Sequence, residues 1–541
     1  MRLKEDSTNQ KLRGAYYTPL QLANAMVNLF ASEPISKVLE PSCGDGVFID
    51  SLAKKGLLNK VKCLTAIEID SDEAEKVRKH YATNRAIKVL HEDFFDYYKR
   101  CYKKERYDLI LGNPPYIRYQ YLTEKQRSIQ SQILTEHGMK ANKLINAWVC
   151  FLVACVQMLA DNGKIAFVIP AEILQVAYAE DLRLFLSNQL SRITLITFEK
   201  LVFPEIQQEV LVFIGEKGGD EKGIRIIKMN DLSGFDTLVL HKKGYQKLQH
   251  AKEKWTKYFV SSKDVDVIQK IRADSRFARF SDFGIINIGI TTGNNNYFSI
   301  DKTTETSFNL QPVSLPLIGR SSHAHGIFFT EDDWKANVNS GKKAMLINFP
   351  DIPYDSYPAS HKLYIKNGEK SGQQKGYKCS IRDRWYIVPS IWVPDAFFLR
   401  RNNLYPKFVL NKCGAVSTDT MHRMKFNDGV DAESVLLSYY NSISFAFTEI
   451  CGRSYGGGVL EILPGEMGNI MLPKIDNVDP KLKMSLLERI DAIVRKNENI
   501  EIALDMVDQE LLVNVLGIEP LLCSQCRDVW KKLQQRRLGR G

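Results

Sequence analysis

Between residues 37 and 215 the chain alternates short apolar runs with longer segments of helical spacing, and this alternation restricts the fold more than any other feature. The runs are Val38 to Glu40, Val61 to Ile69, Ile87 to Leu90, Tyr107 to Leu111, Lys164 to Ile169, Ile193 to Phe198 and Val210 to Ile214. Each has strand length, and most are closed by glycine, proline or acidic residues. Between them lie Val47 to Lys54, Asp72 to Asn84, Leu144 to Ala160 and Tyr178 to Leu190, all long enough for helices. Strand alternating with helix in this way predicts an α/β fold with a doubly wound, mostly parallel, seven-stranded sheet. In such sheets ligands bind beyond the carboxyl ends of the strands. The residues just past each run therefore matter most.

The fourth run ends in Gly112-Asn113-Pro114-Pro115-Tyr116. Prolines fix φ and donate no N–H, so the strand cannot continue, and a rigid turn presents an amide beside a phenol ring. The amide hydrogen-bonds in a plane and the ring offers a stacking face, a combination suited to a planar, amine-bearing ring such as a nucleobase. The first run ends in Glu40-Pro41-Ser42-Cys43-Gly44-Asp45-Gly46. This glycine turn lacks the Gly-x-Gly-x-x-Gly fingerprint and the lysine of a phosphate loop. Its acids suit a ligand with a positive amino group. Glu68, closing the second run, stands where an acid commonly binds ribose hydroxyls. Upstream, Thr18-Pro19 reads as a helix start, a capping hydroxyl followed by proline at the first helical position, and such an end attracts carboxylates.

A chain of 541 residues is too long for one ordinary core. We expect three domains: 1–218 for the alternating part, 219–475 for a mixed α+β part, and 476–541 for a helical tail. Lys and Arg number 74 against 63 Asp and Glu, a net charge of +11 that fits a protein binding a polyanion. The ten cysteines are scattered, mostly in apolar surroundings, and read as reduced thiols. Cys523 and Cys526 form the one close pair, but no second pair or histidines are found nearby, so no metal site is expected. Met1 to Asp6 shows no signal-peptide pattern, and Leu144 to Ala160 is shorter than the ~20 residues of a membrane span and is interrupted by Asn146 and Gln157. A buried helix, a cytoplasmic location and no membrane partner are expected. Beyond Gly219 the regular alternation ends. Gly289 to Asn296, Arg382 to Tyr386, Phe397 to Asn403 and Asp419 to Arg423 mix amides, arginines and aromatics. Arg and Asn are the side chains best shaped for purine edges in a DNA groove. The final Lys531 to Arg537 is expected to be solvated.

Taken in order, Gly14 to Pro19, Val38 to Phe48, Ala66 to Asp70, Glu92 to Phe94, Asp108 to Tyr116 and Gly163 to Pro170 resemble the motifs of S-adenosylmethionine-dependent DNA methyltransferases that act on exocyclic amines. The likeness is closest to the γ-class adenine-N6 enzymes of restriction–modification systems. It covers residues 1 to 215 closely and the remainder loosely. It implies the S-adenosylmethionine methyltransferase fold, S-adenosyl-L-methionine as cofactor, and a C-terminal domain that recognises the target in double-stranded DNA. On this resemblance Thr18 would hold the cofactor's methionine carboxylate, and Glu40 with Ser42, Gly44 and Gly46 would lie against its methionine portion. Glu68 would take the ribose hydroxyls, Ile69 and Phe94 would pack on its adenine, and Asp93 would accept from the adenine amine. Asn113 and the Pro114 carbonyl, held by Pro115, would accept the two N–H bonds of a flipped-out adenine. Tyr116 would stack on that base, with Phe203 as a second aromatic wall. A cognate restriction endonuclease acting on the same site and a monomeric state are the partner expectations. Cytosine-N4 methylation and a catalytically silent DNA-binding regulator remain alternatives. A glutamine-N5 methyltransferase acting on protein shares the Asn-Pro-Pro-Tyr logic, but such enzymes are shorter.

Overall fold

The seven apolar runs become strands of one sheet, and six of them bury side chains on both faces, as parallel strands covered by crossover helices require, while Ile87–His91 at the sheet edge is only partly buried. The strands are β1 (Lys37–Glu40), β2 (Cys63–Glu68), β3 (Ile87–His91), β4 (Tyr107–Gly112), β5 (Leu159–Pro170), β6 (Arg192–Phe198) and β7 (Val210–Glu216). The helices between them are α1 (Leu20–Asn28), α2 (Val47–Lys54), α3 (Ser71–His80), α4 (Phe94–Cys101), α5 (Glu124–Glu136), α6 (Ala147–Gln157) and α7 (Glu180–Gln189). The computed structural model describes residues 17–140, 145–200, 202–203, 209–219, 222–240, 243–248, 254–455, 458–475 and 478–539.

Strand order across the sheet is β3-β2-β1-β4-β5-β7-β6, followed by an eighth strand, β8 (Gly223–Met229). Only β7 runs against its neighbours, pairing antiparallel with β5 and β6, whereas β8 lies parallel to β6. The eighth strand corrects the expected seven. Its alternation is masked in sequence by Arg225 and Lys228, but Arg225 is itself 8% exposed, donating from Nε to Thr194 Oγ1 at 3.1 Å beneath the Tyr245 ring. Asp161-Asn162-Gly163, which reads as a turn, instead lies inside β5, where the pairing with β4 shifts register between Tyr107 and Leu109. The apolar segment ahead of it forms α6, with every residue from Ala147 to Val156 buried. Among the described residues no helix is long and apolar enough to cross a membrane.

The chain divides into two units, the first ending at Phe259 and the second running from Val260 to Gly539. This division differs from the boundaries expected at 218 and 475. β8 carries residues beyond 218 into the first unit's sheet, and the last helices fold within the second. There a five-stranded sheet is ordered Gly284–Ile288, Met421–Phe426, Ala396–Leu399, Phe408–Asn411 and Phe328–Phe329. A separate aromatic cluster gathers Phe298, Phe349, Tyr364, Trp385 and Tyr386. The helix Pro520–Leu538 packs along the helix Ser442–Cys451, burying Cys523, Cys526, Val529, Trp530 and Leu533, with Trp530 edge-on to Phe445 at 5.5 Å.

The basic C-terminal stretch, expected to be solvated, is so only in part, with Lys532 exposed and Arg537 buried. Lys531 pairs with Glu501 at 2.5 Å and Lys532 with Asp264 at 3.1 Å. Arg537 is 1% exposed, donating to Glu449 Oε1 at 2.7 Å, to the Asn403 carbonyl at 2.6 Å and to the Gly458 carbonyl. A planar fork of five donors reaches three acceptors in separate, fixed directions, whereas a lysine offers its three donors from a single atom. Burial raises the Glu449 pKa even with Arg537 beside it. Arg537→Ala strands that carboxyl and should destabilise the second unit by about 3–5 kcal/mol. Without the guanidinium the folded-state pKa of Glu449 rises further above its unfolded value, so the loss should grow as pH rises past the usual carboxylate range and shrink in acid. Urea unfolding followed by tryptophan fluorescence at several pH values measures both effects.

Candidate functional site

Strand order reverses between β1 and β4, which pair through Val38 with Leu109 and Leu39 with Ile110. The chain winds outward from β1 through β2 to β3, then returns to the other side of β1. Such a reversal is the place where an open α/β sheet leaves room for a ligand beyond its carboxyl ends. The turn after β1 and the turn after β4 emerge next to each other, and Ser42 Oγ donates to the Asn113 carbonyl at 3.4 Å across the gap.

The first turn is shaped by its glycines and by Glu68. Gly44 and Gly46 have φ of 51° and 83°, and a Cβ on Gly46 would stand 3.2 Å from a Val77 methyl. Glu68, at the end of β2, accepts from the Gly44 N–H at 2.8 Å with one oxygen and from the Asp70 N–H at 2.9 Å with the other. One carboxylate therefore fixes both the turn after β1 and the entry to α3. Each oxygen keeps a further lone pair. Beside it Ile69 is 60% exposed, an apolar side chain left in the open at a strand end.

Glu40 is 2% exposed, and its Oε2 has no hydrogen-bond partner among the described residues. Burial pushes its pKa well above the carboxylate range, reinforced by Asp45, Glu68 and Asp50. Burial also raises the pKa of Asp45. A buried carboxyl with an unmatched oxygen costs free energy, and a cationic or N–H-bearing ligand would recover it. Asp93 caps α4, accepting from the Phe95 N–H at 2.8 Å, and its other oxygen accepts from Gln126 Nε2 at 3.2 Å. Phe94 is 3% exposed, stacked on Phe151 at 4.9 Å, so most of its ring serves the core.

Thr18 does not cap α1 as expected. Pro19 occupies the cap position with φ −57° and ψ 135°, no side chain caps the helix, and Thr18 lies one residue outside it, 7% exposed. Extended ψ at the proline moves the helix start one residue on. The preceding Gly14, Ala15 and Tyr16 lie outside the described residues.

After β4, Pro114 and Tyr116 are buried while Asn113 and Pro115 are partly exposed. Tyr116 donates from its hydroxyl to the Val168 carbonyl of β5 at 3.1 Å. This bond sets the ring's position from the neighbouring strand. Phe203 is 7% exposed, and Pro204 and Glu205 of its loop lie outside the described residues. The structure thus brings Glu40, Ser42, Gly44, Gly46, Glu68 and Asn113 to adjacent strand ends. Gln126 was missed by sequence reasoning, although Thr123-x-x-Gln126 is a capping-box pattern that marks it.

In the second unit the mixed clusters separate by burial. Asn402, His422 and Arg423 are buried, with Arg423 donating to the carbonyls of Ile288 at 3.1 Å and Ser390 at 2.9 Å and lying over Trp392 at 4.4 Å. Asn294 caps the short helix Asn295–Phe298 and Asn295 bonds Asp419. These side chains are committed to the fold. Arg401, whose side chain is 70% exposed, keeps most of its guanidinium in solvent while its Nε meets Glu461 Oε1 at 3.4 Å.

Residues 45–203 match the Eco57I restriction-modification methylase family, and residues 252–512 match the C-terminal domain of Type II methyltransferase M.Eco57I. Type II methyltransferase M.AccI of Acinetobacter calcoaceticus is 23% identical over 530 residues, spanning 93% of this chain and 94% of that protein. M.HincII of Haemophilus influenzae is 31% identical over 232 residues, spanning 42% of each. Among solved structures, the Type IIL restriction-modification enzyme MmeI in complex with DNA superposes with TM-score 0.58 at 12% identity, covering 99% of this chain and 78% of that one, a likeness of fold.

Glu40 yields a test that needs no ligand. Its folded pKa lies above its unfolded value, so the native state holds an extra proton and stability falls as pH rises through that interval. Glu40→Gln removes this dependence. Its thermal midpoint should exceed that of the wild type at about pH 8 and converge with it near pH 4.5, below which both carboxyls are neutral. Parallel curves across that range would show that Glu40 is not held neutral by burial.

Proposed function

This chain belongs to the Type II restriction–modification methyltransferases, and from that premise we propose that it transfers the methyl group of S-adenosyl-L-methionine to N6 of an adenine flipped out of double-stranded DNA. The observation that carries the reading is the β1–β4 pairing, which sets an acidic glycine turn beside an Asn-Pro-Pro-Tyr turn at the switch point of the sheet.

The residues fit the cofactor. Glu40 has a buried oxygen that an α-amino group would satisfy, and Glu68 retains lone pairs for ribose hydroxyls. Ile69 offers an exposed apolar face to an adenine ring, Asp93 offers an acceptor to its amine, and the buried Thr18 stands ahead of a helix that no side chain caps. Ser42, Gly44 and Gly46 keep the turn close enough for the methionine portion to lie against its backbone. When bound, the cofactor supplies an electrophilic methyl group on a sulfonium.

The chain's own residues prepare the nucleophile. Adenine N6 is poorly nucleophilic because its lone pair is delocalised into the ring. The Asn113 amide oxygen and the Pro114 carbonyl accept its two N–H bonds, which localises that lone pair, and Pro115 keeps the turn rigid. Tyr116, with its hydroxyl tied to β5, gives the base a fixed stacking face, and Phe203 serves as the opposite wall. Positioning and preorganised acceptors supply the rate. The second unit, with exposed Arg401 among its cations, reads the DNA target. The methylation protects the site from a cognate endonuclease, and the enzyme acts as a monomer.

The test incubates the protein with labelled S-adenosyl-L-methionine and mixed duplex DNA, then digests the DNA to nucleosides. Label in N6-methyladenine is expected, and label in N4-methylcytosine would overturn the base assignment. Asn113→Ala should reduce transfer by ~100-fold or more, the range lost with one preorganised partner at a reaction centre. Cofactor binding by calorimetry should change little in that variant.

A further inference from the structure

Gln126 sits in the first turn of α5, and its amide is used from both ends. Thr123 caps the helix, accepting from the Gln126 N–H at 3.3 Å, while Gln126 Oε1 accepts from the Thr123 N–H and hydroxyl, both at 3.1 Å. A backbone N–H can only donate, so the atom facing it must be the amide oxygen. The amide nitrogen is therefore turned the other way, and it meets Asp93 Oδ2 at 3.2 Å. Asp93 Oδ1 is held separately by the Phe95 N–H at 2.8 Å. Lys125 adds a second tie between the same two helix ends, reaching Asp96 Oδ2 at 2.8 Å. On the other side of Gln126, Arg127 donates to the carbonyls of Tyr119 at 3.1 Å and Gln120 at 3.0 Å, gripping the segment that leaves Tyr116.

A glutamate at position 126 would complete the capping box equally well. It could not donate to Asp93. The amide is thus the one group at this place that both closes the cap and holds the carboxylate. We propose that Gln126 is a positioning residue that aims the Asp93 carboxylate at the exocyclic amine of the cofactor's adenine. This rests on the reading of the pocket as an S-adenosyl-L-methionine site with Asp93 at its adenine end. With one lone pair of each oxygen committed to protein donors, the carboxylate plane is fixed and the remaining lone pairs point in set directions.

Two variants of the full-length protein test this, with S-adenosyl-L-methionine binding measured by calorimetry from about pH 5.5 to pH 8.5. Gln126→Glu keeps the cap and puts a second carboxylate against Asp93. Relative to the wild type at the same pH, its affinity should fall about ten-fold at pH 8, roughly one pKa unit of like-charge repulsion, and recover toward wild type at pH 5.5 as the pair takes up a shared proton. Gln126→Met keeps the length but loses the donor, and should weaken binding about three- to ten-fold at every pH. If Gln126→Glu does not fold, the methionine variant decides alone. Wild-type affinity in the methionine variant overturns the proposal, and so does a pH-independent loss in the glutamate variant, which would indicate a general structural defect. Absence of binding by the wild type itself overturns the cofactor reading, and the proposal falls with it.

Discussion

The pairing of β1 with β4 is the interaction on which the first unit depends. Two strands separated by two other strands and three crossovers in sequence share only two paired positions, Val38 with Leu109 and Leu39 with Ile110. That short ladder is enough to reverse the direction of winding. It sets the carboxyl ends of β1 and β4 next to each other, so the turns beyond them meet across the gap. Every feature of the site is built outward from this place. Ser42 crosses the gap, Glu68 ties the first turn from the β2 side, and Tyr116 ties the second from the β5 side.

The electrostatics of the crevice run against stability. Glu40, Asp45, Asp50 and Glu68 lie close enough that each acid disfavours ionisation of Glu40, while burial removes the water that would screen them. A fold selected for stability alone would place an apolar side chain there, since an isolated buried carboxyl costs more than any single hydrogen bond returns. The cost is offset only when a group with N–H donors or positive charge enters, and this is the usual relation between a strained site and its ligand. Glu68 differs from Glu40 in having two backbone N–H groups aimed at its oxygens.

How much was legible in the sequence depends on the range of the forces involved. The seven runs, their burial and the α/β class were legible because hydrophobic period is a local signal. The residues at the ends of β1, β2 and β4 were legible because strand termini in a doubly wound sheet converge whatever the side chains are. The eighth strand was not, because Arg225 and Lys228 look like solvent-facing residues until Thr194 and the Tyr245 ring are seen around the arginine. The start of α1 was misplaced by one residue, since Thr-Pro reads as cap and first position whichever side of the proline the extended ψ falls. Asp161 to Gly163 has the composition of a turn, and only pairing with β4 holds it as an irregularity within β5.

The same distinction governs the basic residues of the second half. Arginines and asparagines near aromatics look alike in sequence whether they read a nucleic acid or brace a core. Arg423 and Arg537 prove to be braces, each donating from its planar fork to backbone carbonyls distant in sequence. Their neighbour in composition, Arg401, is 70% exposed and meets Glu461 through its Nε at 3.4 Å. A guanidinium buried against carbonyls has no face to offer a base edge or a phosphate, so the residues able to touch DNA must be sought among the exposed cations. Net charge alone does not say which cations can reach a ligand, and the exposure and donor geometry of individual arginines are the better measure.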